Sequence, residues 1–166
     1  SNTVASKKLI PKLNHQIGLE QAASQAYLGM AIWCEKNSLA GAATFFYTQS
    51  DEERSHMMKI VRYVNGSGGT ASMRSAEAPS VKFPSLKSAV SSGLENEKIV
   101  TASVQKITTM ALAEKDYETF NFLKAFVGEQ ADAAKQFQSL LHKFEPLGDA
   151  GRPLSSIEQL MVRTMA

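Results

Sequence analysis

Asp51-Glu52-Glu53-Arg54-Ser55-His56 decides how this chain of 166 residues is built. Glu53 and His56 are three positions apart, so in a helix they share one face. That face continues through Phe46, Gln49, Ile60 and Tyr63 at helical spacing. Two groups able to ligate a metal therefore point where apolar side chains point. A carboxylate taken out of water without a partner is costly. Something cationic must stand opposite it, and a metal ion is the leading candidate.

Outward from this stretch, the helical period runs from about Leu39 to Asn65, with Ser38 as the expected N-cap and Gly66 as the stop. Three further long segments share the period. The first, Leu9 to Lys36, aligns Leu13, Ile17, Ser24, Tyr27, Ala31 and Cys34, with Pro11 in its first turn, where proline is tolerated. The third, Ser85 to Ala113, aligns Leu86, Val90, Val100, Val104, Ile107 and Ala111. The fourth, Tyr117 to Phe144, aligns Phe120, Leu123, Val127, Ala134, Phe137, Leu141 and Phe144, with Asp116 as its cap and Pro146 and Gly148 as its end. A short fifth helix over about 155–165 follows, where Ser155 and Glu158 suit a capping box. Strand-like alternation is absent, so the class is all-α.

Linker lengths set the topology. Two or three residues join the first helix to the second and the third to the fourth, so each pair is antiparallel. From Gly66 to Pro84 the chain is rich in Gly, Ser, Ala and Pro and long, at 19 residues. Extended, it reaches about 63 Å, more than the ~42 Å of a 28-residue helix. It can therefore return along the bundle and start the third helix at the same end as the second. The expectation is one domain over 1–166: a four-helix bundle over about 9–145, one long crossover between the second and third helices, and the short C-terminal fifth helix.

Each apolar stripe is interrupted near its middle. Glu20 breaks the first, Glu53 and His56 the second, Glu97 the third and Gln130 the fourth. Glu20 lies 17 residues before Asn37 in the first turn and Glu53 lies 16 after it; Glu97 lies 18 before Lys115 and Gln130 lies 15 after it. The heights agree to within about one helical turn, ~5.4 Å. A lone mid-helix Glu is usually solvated; four coincident interruptions are hard to explain that way. Three interior carboxylates repel one another without a cation, and no Lys or Arg falls on the stripes at this level. Oxygen-rich ligation with one imidazole suits ferrous iron, and manganese or zinc less selectively. Three Glu and one His hold two ions if one carboxylate bridges, and Glu53, beside His56, is the natural bridge.

Composition bounds the alternatives. Hydrophobic content of 43% fits a globular chain, and a net charge of +2 with both signs dispersed argues against nucleic acid or an anionic membrane as partner. No apolar run approaches the roughly 20 residues of a membrane span. Cys34 is the single cysteine and reads as a buried small hydrophobe. His15 and His142, near helix ends, read as surface residues. A cytoplasmic location is the default, with a removed transit peptide left open.

These residues resemble non-haem ferritin over nearly the whole chain, from Leu13 to about Met165. The resemblance is carried by Leu19-Glu20 through Tyr27-Leu28, by Asp51 through His56, by Leu94-Glu95-Asn96-Glu97, and by Phe122 through Glu129-Gln130. It implies a ferroxidase, an enzyme that oxidises Fe(II) with dioxygen at two iron positions per subunit and stores the Fe(III) product as mineral. By resemblance Glu20, Glu53 and His56 form the first iron site. Glu53 and Glu97 form the second, with Gln130 near bound oxygen or water. Tyr27 is placed to hydrogen-bond a ligand or donate an electron. A third iron site would use Glu52, Glu129 and Asp132. The resemblance also implies a 24-subunit homo-oligomeric shell, around whose fourfold axis Ile157, Leu160, Met161 and Met165 of the fifth helix would be buried; taken alone, that helix could equally fold back on its own bundle.

The chain departs from the family pattern at several positions. Ala133 stands where many bacterial ferritins carry a further Glu, so the second iron site is expected to be the weaker. Asp132 is shorter than the usual Glu. Phe120 and Leu123 stand near the acidic channel positions of animal chains, which makes iron entry there doubtful. Arg54 stands where haem-containing relatives place their ligating Met, so haem is not expected. Two other readings stay open: a non-catalytic or weakly catalytic storage subunit, and a di-iron oxygenase or peroxidase.

Overall fold

The computed structural model describes residues 5–144 and 154–164. Five helices follow one another: α1 Ile10–Lys36, α2 Ala40–Gly66, α3 Leu86–Ala113, α4 Tyr117–Phe144 and α5 Leu154–Thr164. No strand occurs among the described residues. α1 packs on α2, α3 on α4, α1 meets α3, and α5 lies on α2 and α4.

The ends of the long helices have local causes. Ser85 caps α3 by accepting from the Ser88 N–H, and Asp116 caps α4 by accepting from the Thr119 N–H at 3.1 Å. Ser38 does not cap α2. It adopts φ 61°, the left-handed residue that closes α1, with Leu39 N–H donating to Cys34 O and Ser38 N–H to Glu35 O. That is a Schellman end, and it uses Ser38 before α2 begins. The cap comes instead from α5: Glu158 Oε2 accepts from the N–H groups of Gly41 and Ala42 at 2.8 and 3.2 Å. Lys115 at φ 58° closes α3 in the same way. α2 does end at Gly66, but the left-handed residue is Gly68, at φ 90°. Pro146, Gly148, Ser155 and Met165 are not among the residues whose surroundings are described.

The crossover runs the length of α1. A Cβ on Gly69 would meet Ile10, one on Gly18 would meet Arg74, and one on Gly29 would lie 2.1 Å from Ser80 O. Further along, Phe83 packs edge-on to Trp33, with ring centroids 5.9 Å apart. Residues 69 to 83 thus follow α1 from its start to its end, and α3 begins at the same end of the bundle as α2. Only a residue without a side chain lets the strap approach α1 this closely at Gly29.

The core is divided in two. One cluster gathers Tyr27, Phe45, Phe46, Val90, Phe137 and Leu140; the other gathers Leu13, Ile17, Ile60, Val104, Leu123 and Phe126. Between them lies the polar level. On α4 the stripe shifts: Leu123, Phe137 and Phe144 are buried as expected and Phe126 and Leu140 join them, while Phe120, Val127, Ala134 and Leu141 are half-buried. A stripe wider than 100° leaves its edge positions partly wet. On α5, Ile157 and Met161 are buried against this subunit's own bundle, 1% and 0% exposed.

Candidate metal centre

Each of the four long helices delivers its interrupting residue to the polar level. Glu20, Glu53, Glu97 and Gln130 are 0%, 2%, 0% and 1% exposed, and the His56 side chain is 14% exposed. One ligand atom from each of Glu20, Glu53 and His56 lies within 4.8 Å of the other two. Glu97 stands outside that triple but close enough to Glu53 for the two carboxylates to act on each other's protonation.

Every member of the centre keeps at least one bare ligand atom. Glu20 Oε1 accepts from Gln130 Nε2 at 2.9 Å and from Gln16 Nε2 at 3.2 Å. Glu97 Oε1 accepts from the Tyr27 hydroxyl at 2.6 Å. His56 Nε2 lies 2.8 Å from Glu129 Oε2, while its Nδ1 stands 3.6 Å from Glu53 Oε2, beyond hydrogen-bond reach. Glu20 Oε2, Glu53 Oε2, Glu97 Oε2, His56 Nδ1 and Gln130 Oε1 have no partner. Among the described residues, Gln16 Oε1 and Thr101 Oγ1 complete that set. Buried polar atoms are nearly always satisfied. Five orphans at one level, four of them good metal ligands, form a donor set that fits a divalent cation.

The electrostatics agree. Burial pushes the Glu20 carboxyl well above its ordinary value, and neighbouring Glu53 pushes it further. Burial likewise raises Glu53 and Glu97. For His56 burial opposes the cation, but Glu53, Glu20 and Glu129 outweigh it and hold its pKa above normal. Tyr27 is kept a neutral phenol by burial and by Glu97, so it donates to that carboxylate. It stacks on Phe137 with centroids 5.5 Å apart, and His56 sets its edge against Phe126 at 5.6 Å. Aromatic walls on both sides keep the carboxylates in a poorly solvated space, where an ion is the effective counter-charge.

The Ferritin-like domain model matches residues 10–147. The chain belongs to the ferritin family. A probable bacterial non-heme ferritin-like protein of Haemophilus influenzae is 36% identical over 154 residues, 93% of each chain. A bacterial non-heme ferritin of Campylobacter jejuni is 33% identical over 93% of this chain and 92% of its own. In fold, an open pore ferritin from Archaeoglobus fulgidus superposes with a TM-score of 0.89 at 29% identity, over 95% of this chain and 96% of that one.

Within this ferritin bundle the remaining sequence candidates fall as follows. Glu52, Glu129 and Asp132 line one groove with Glu53 and His56, of about 760 Å³, which Lys59 and Lys135 also line. Glu129 has a direct partner in His56. Leu123 is fully buried in the cluster that holds Leu13 and Phe126, with Phe120 half-buried beside it. Arg54 is exposed, pointing away from the centre, and His142 is exposed. His15 is half-buried, and burial together with Arg74 and Lys12 lowers its pKa. Cys34 is buried, with its thiol pushed up to about 12, so it stays protonated. Sequence reasoning missed Gln16. It lies four residues before Glu20, one turn away on the same face, which was the available signal.

Proposed function

We propose that this chain is an iron-storage ferritin whose subunit oxidises Fe(II) with dioxygen and passes Fe(III) to a mineral held in a hollow homo-oligomeric shell. The observation that carries the reading is the set of unpartnered ligand atoms on Glu20, Glu53, His56 and Glu97 inside a dry bundle. Iron here is substrate and cargo. Glu20, Glu53 and His56 take one ferrous ion, and Glu53 and Glu97 take the second, with Glu53 between them. Two ferrous ions give one electron each to dioxygen, which takes two protons and leaves as hydrogen peroxide.

The protein supplies position and charge. Tyr27 donates to Glu97 Oε1 and keeps its other oxygen free. Gln130 does the same for Glu20. Glu129 orients His56 so that Nδ1 presents a lone pair to the centre. Glu52, Glu129 and Asp132 form a vestibule that would hold a third ion or pass iron inward. Ala133 adds no ligand, so the second ion is the weaker of the pair. The kinship to proteins named bacterial non-heme ferritin supports the storage reading, to which a 24-subunit shell and a cytoplasmic setting belong as part of the same proposal. No described helix is long and apolar enough to cross a membrane.

Stopped-flow mixing of metal-free protein with Fe(II) under air tests the reaction. Fast oxidation that is lost in Glu53→Ala and His56→Ala is expected. Oxidation as slow as in Glu53→Ala would overturn the catalytic part and leave a storage subunit. Size-exclusion chromatography tests the shell, and a monomer or dimer would overturn storage.

A further inference from the structure

Gln16 is fully buried in α1, yet its side chain is polar and lies among Leu13, Ile17 and α3. Its Nε2 reaches Glu20 Oε1 at 3.2 Å and the Val100 carbonyl at 3.4 Å. Its own Oε1 has no partner. A stranded buried carbonyl is costly, a cost that an apolar side chain at this position would avoid. The benefit must therefore lie at Nε2. That atom ties Glu20 to the backbone of α3, while Gln130 Nε2 reaches the same carboxylate oxygen from α4 at 2.9 Å. A carboxylate oxygen has two lone pairs to offer. Two amide donors fill both, and Glu20 Oε2 is left with none.

We infer that Gln16 is a positioning residue: with Gln130 it clamps Glu20 Oε1 from two helices and leaves Glu20 a single oxygen, Oε2, with which to hold an ion. This rests on the di-metal reading above. The clamp stops the carboxylate from rotating and from chelating one ion with both oxygens. Chelation would draw the first ion toward α1 and away from the shared Glu53. Gln16 acts only through Glu20 and touches no ion itself.

The test uses assembled metal-free protein titrated anaerobically with Co(II), following the visible band and, in parallel, the heat of binding. Gln16→Met keeps the length and removes the donor. It is expected to weaken the tight site about tenfold to a hundredfold, the usual effect of losing a group that orients a ligand. The cobalt band should shift as the carboxylate is freed, while the melting temperature holds or rises. Gln130→Met, cutting the other arm, should shift the band in the same direction. It also serves if Gln16→Met does not fold. Glu53→Gln is the control for the site itself. If Glu53→Gln abolishes tight binding while both Met variants keep the wild-type band and affinity, the clamp is refuted and the metal centre stands. If Glu53→Gln also binds Co(II) like wild type, the metal reading fails first.

Discussion

His56 Nε2 lies 2.8 Å from Glu129 Oε2, and the opposite ring nitrogen faces the buried carboxylates without a hydrogen-bond partner. In a neutral imidazole with its proton on Nε2, this half-exposed carboxylate would hold that proton and leave Nδ1 as the lone pair for an ion. Replacing it should weaken the ion that His56 holds without unfolding the chain. Glu129→Ala is expected to lose about tenfold to a hundredfold in affinity for Zn(II) or Co(II). Its melting temperature should change little, because an exposed ion pair contributes about 0–1 kcal/mol. Calorimetric titration and thermal denaturation of the same samples check both halves.

The centre makes the metal-free protein sensitive to alkali. Glu20, Glu53 and Glu97 are raised in the folded state above the ordinary carboxylate value of about 4.5. Below that value the groups are protonated in both states and add nothing. Above it the unfolded chain releases protons that the fold retains, so stability falls as pH rises through the raised native values. His56 acts in the same direction, since its raised native pKa adds stability below the ordinary 6.5 that is lost as pH rises past it. Asp116 is lowered by its hydrogen bonds to Thr119 and Ser6, which outweigh burial, and it works oppositely, but only near its ordinary 3.8 and below. Urea denaturation of metal-free protein between about pH 5 and pH 8 should show stability falling, with a flatter profile in Glu53→Gln and recovery on adding Zn(II). A flat wild-type profile would contradict the burial of these carboxylates.

Ala133 lines the groove beside Glu53 and His56 but offers no oxygen. The two ions should therefore bind unequally. Ala133→Glu is expected to raise the weaker affinity by about tenfold, some 1.4 kcal/mol, and to leave the tighter site unchanged. Calorimetric titration with Co(II) should resolve two steps in wild type that draw together in the variant.

The strap over α1 depends on Gly29, where an added Cβ would stand 2.1 Å from the Ser80 carbonyl oxygen. That neighbour is backbone and cannot rotate aside. Gly29→Ala should cost about 1–3 kcal/mol as the crossover is forced off the helix, lowering the melting temperature by about 2–4 °C per kcal/mol. Gly66→Ala, whose Cβ would meet nothing within 4 Å, is the control and should be neutral or stabilising.

The fold was legible because its main determinants are local and periodic. The apolar spacing, the two short turns and the 19 residues from Gly66 to Pro84 leave few topologies. The polar level could be read by counting from turns, since α-helices rise uniformly. Relations between distant parts of the chain were not legible. Ser38 looked like a cap until α1 claimed it for a Schellman end, and the cap of α2 came from Glu158, 116 to 117 positions away. Glu129 was legible as a third-site candidate, but its contact with the His56 ring across two helices was not. Gln16 carries no charge and sits within an apolar stripe, so nothing in its type marked it.

The central claim is that Glu53 stands between two ions. Anaerobic soaking of crystals with Fe(II), with diffraction data above and below the iron absorption edge, tests it directly. The account predicts two anomalous peaks per subunit flanking Glu53, one among Glu20, Glu53 and His56 and a weaker one between Glu53 and Glu97. A single peak remote from Glu53, or none within the bundle at saturating iron, would contradict it.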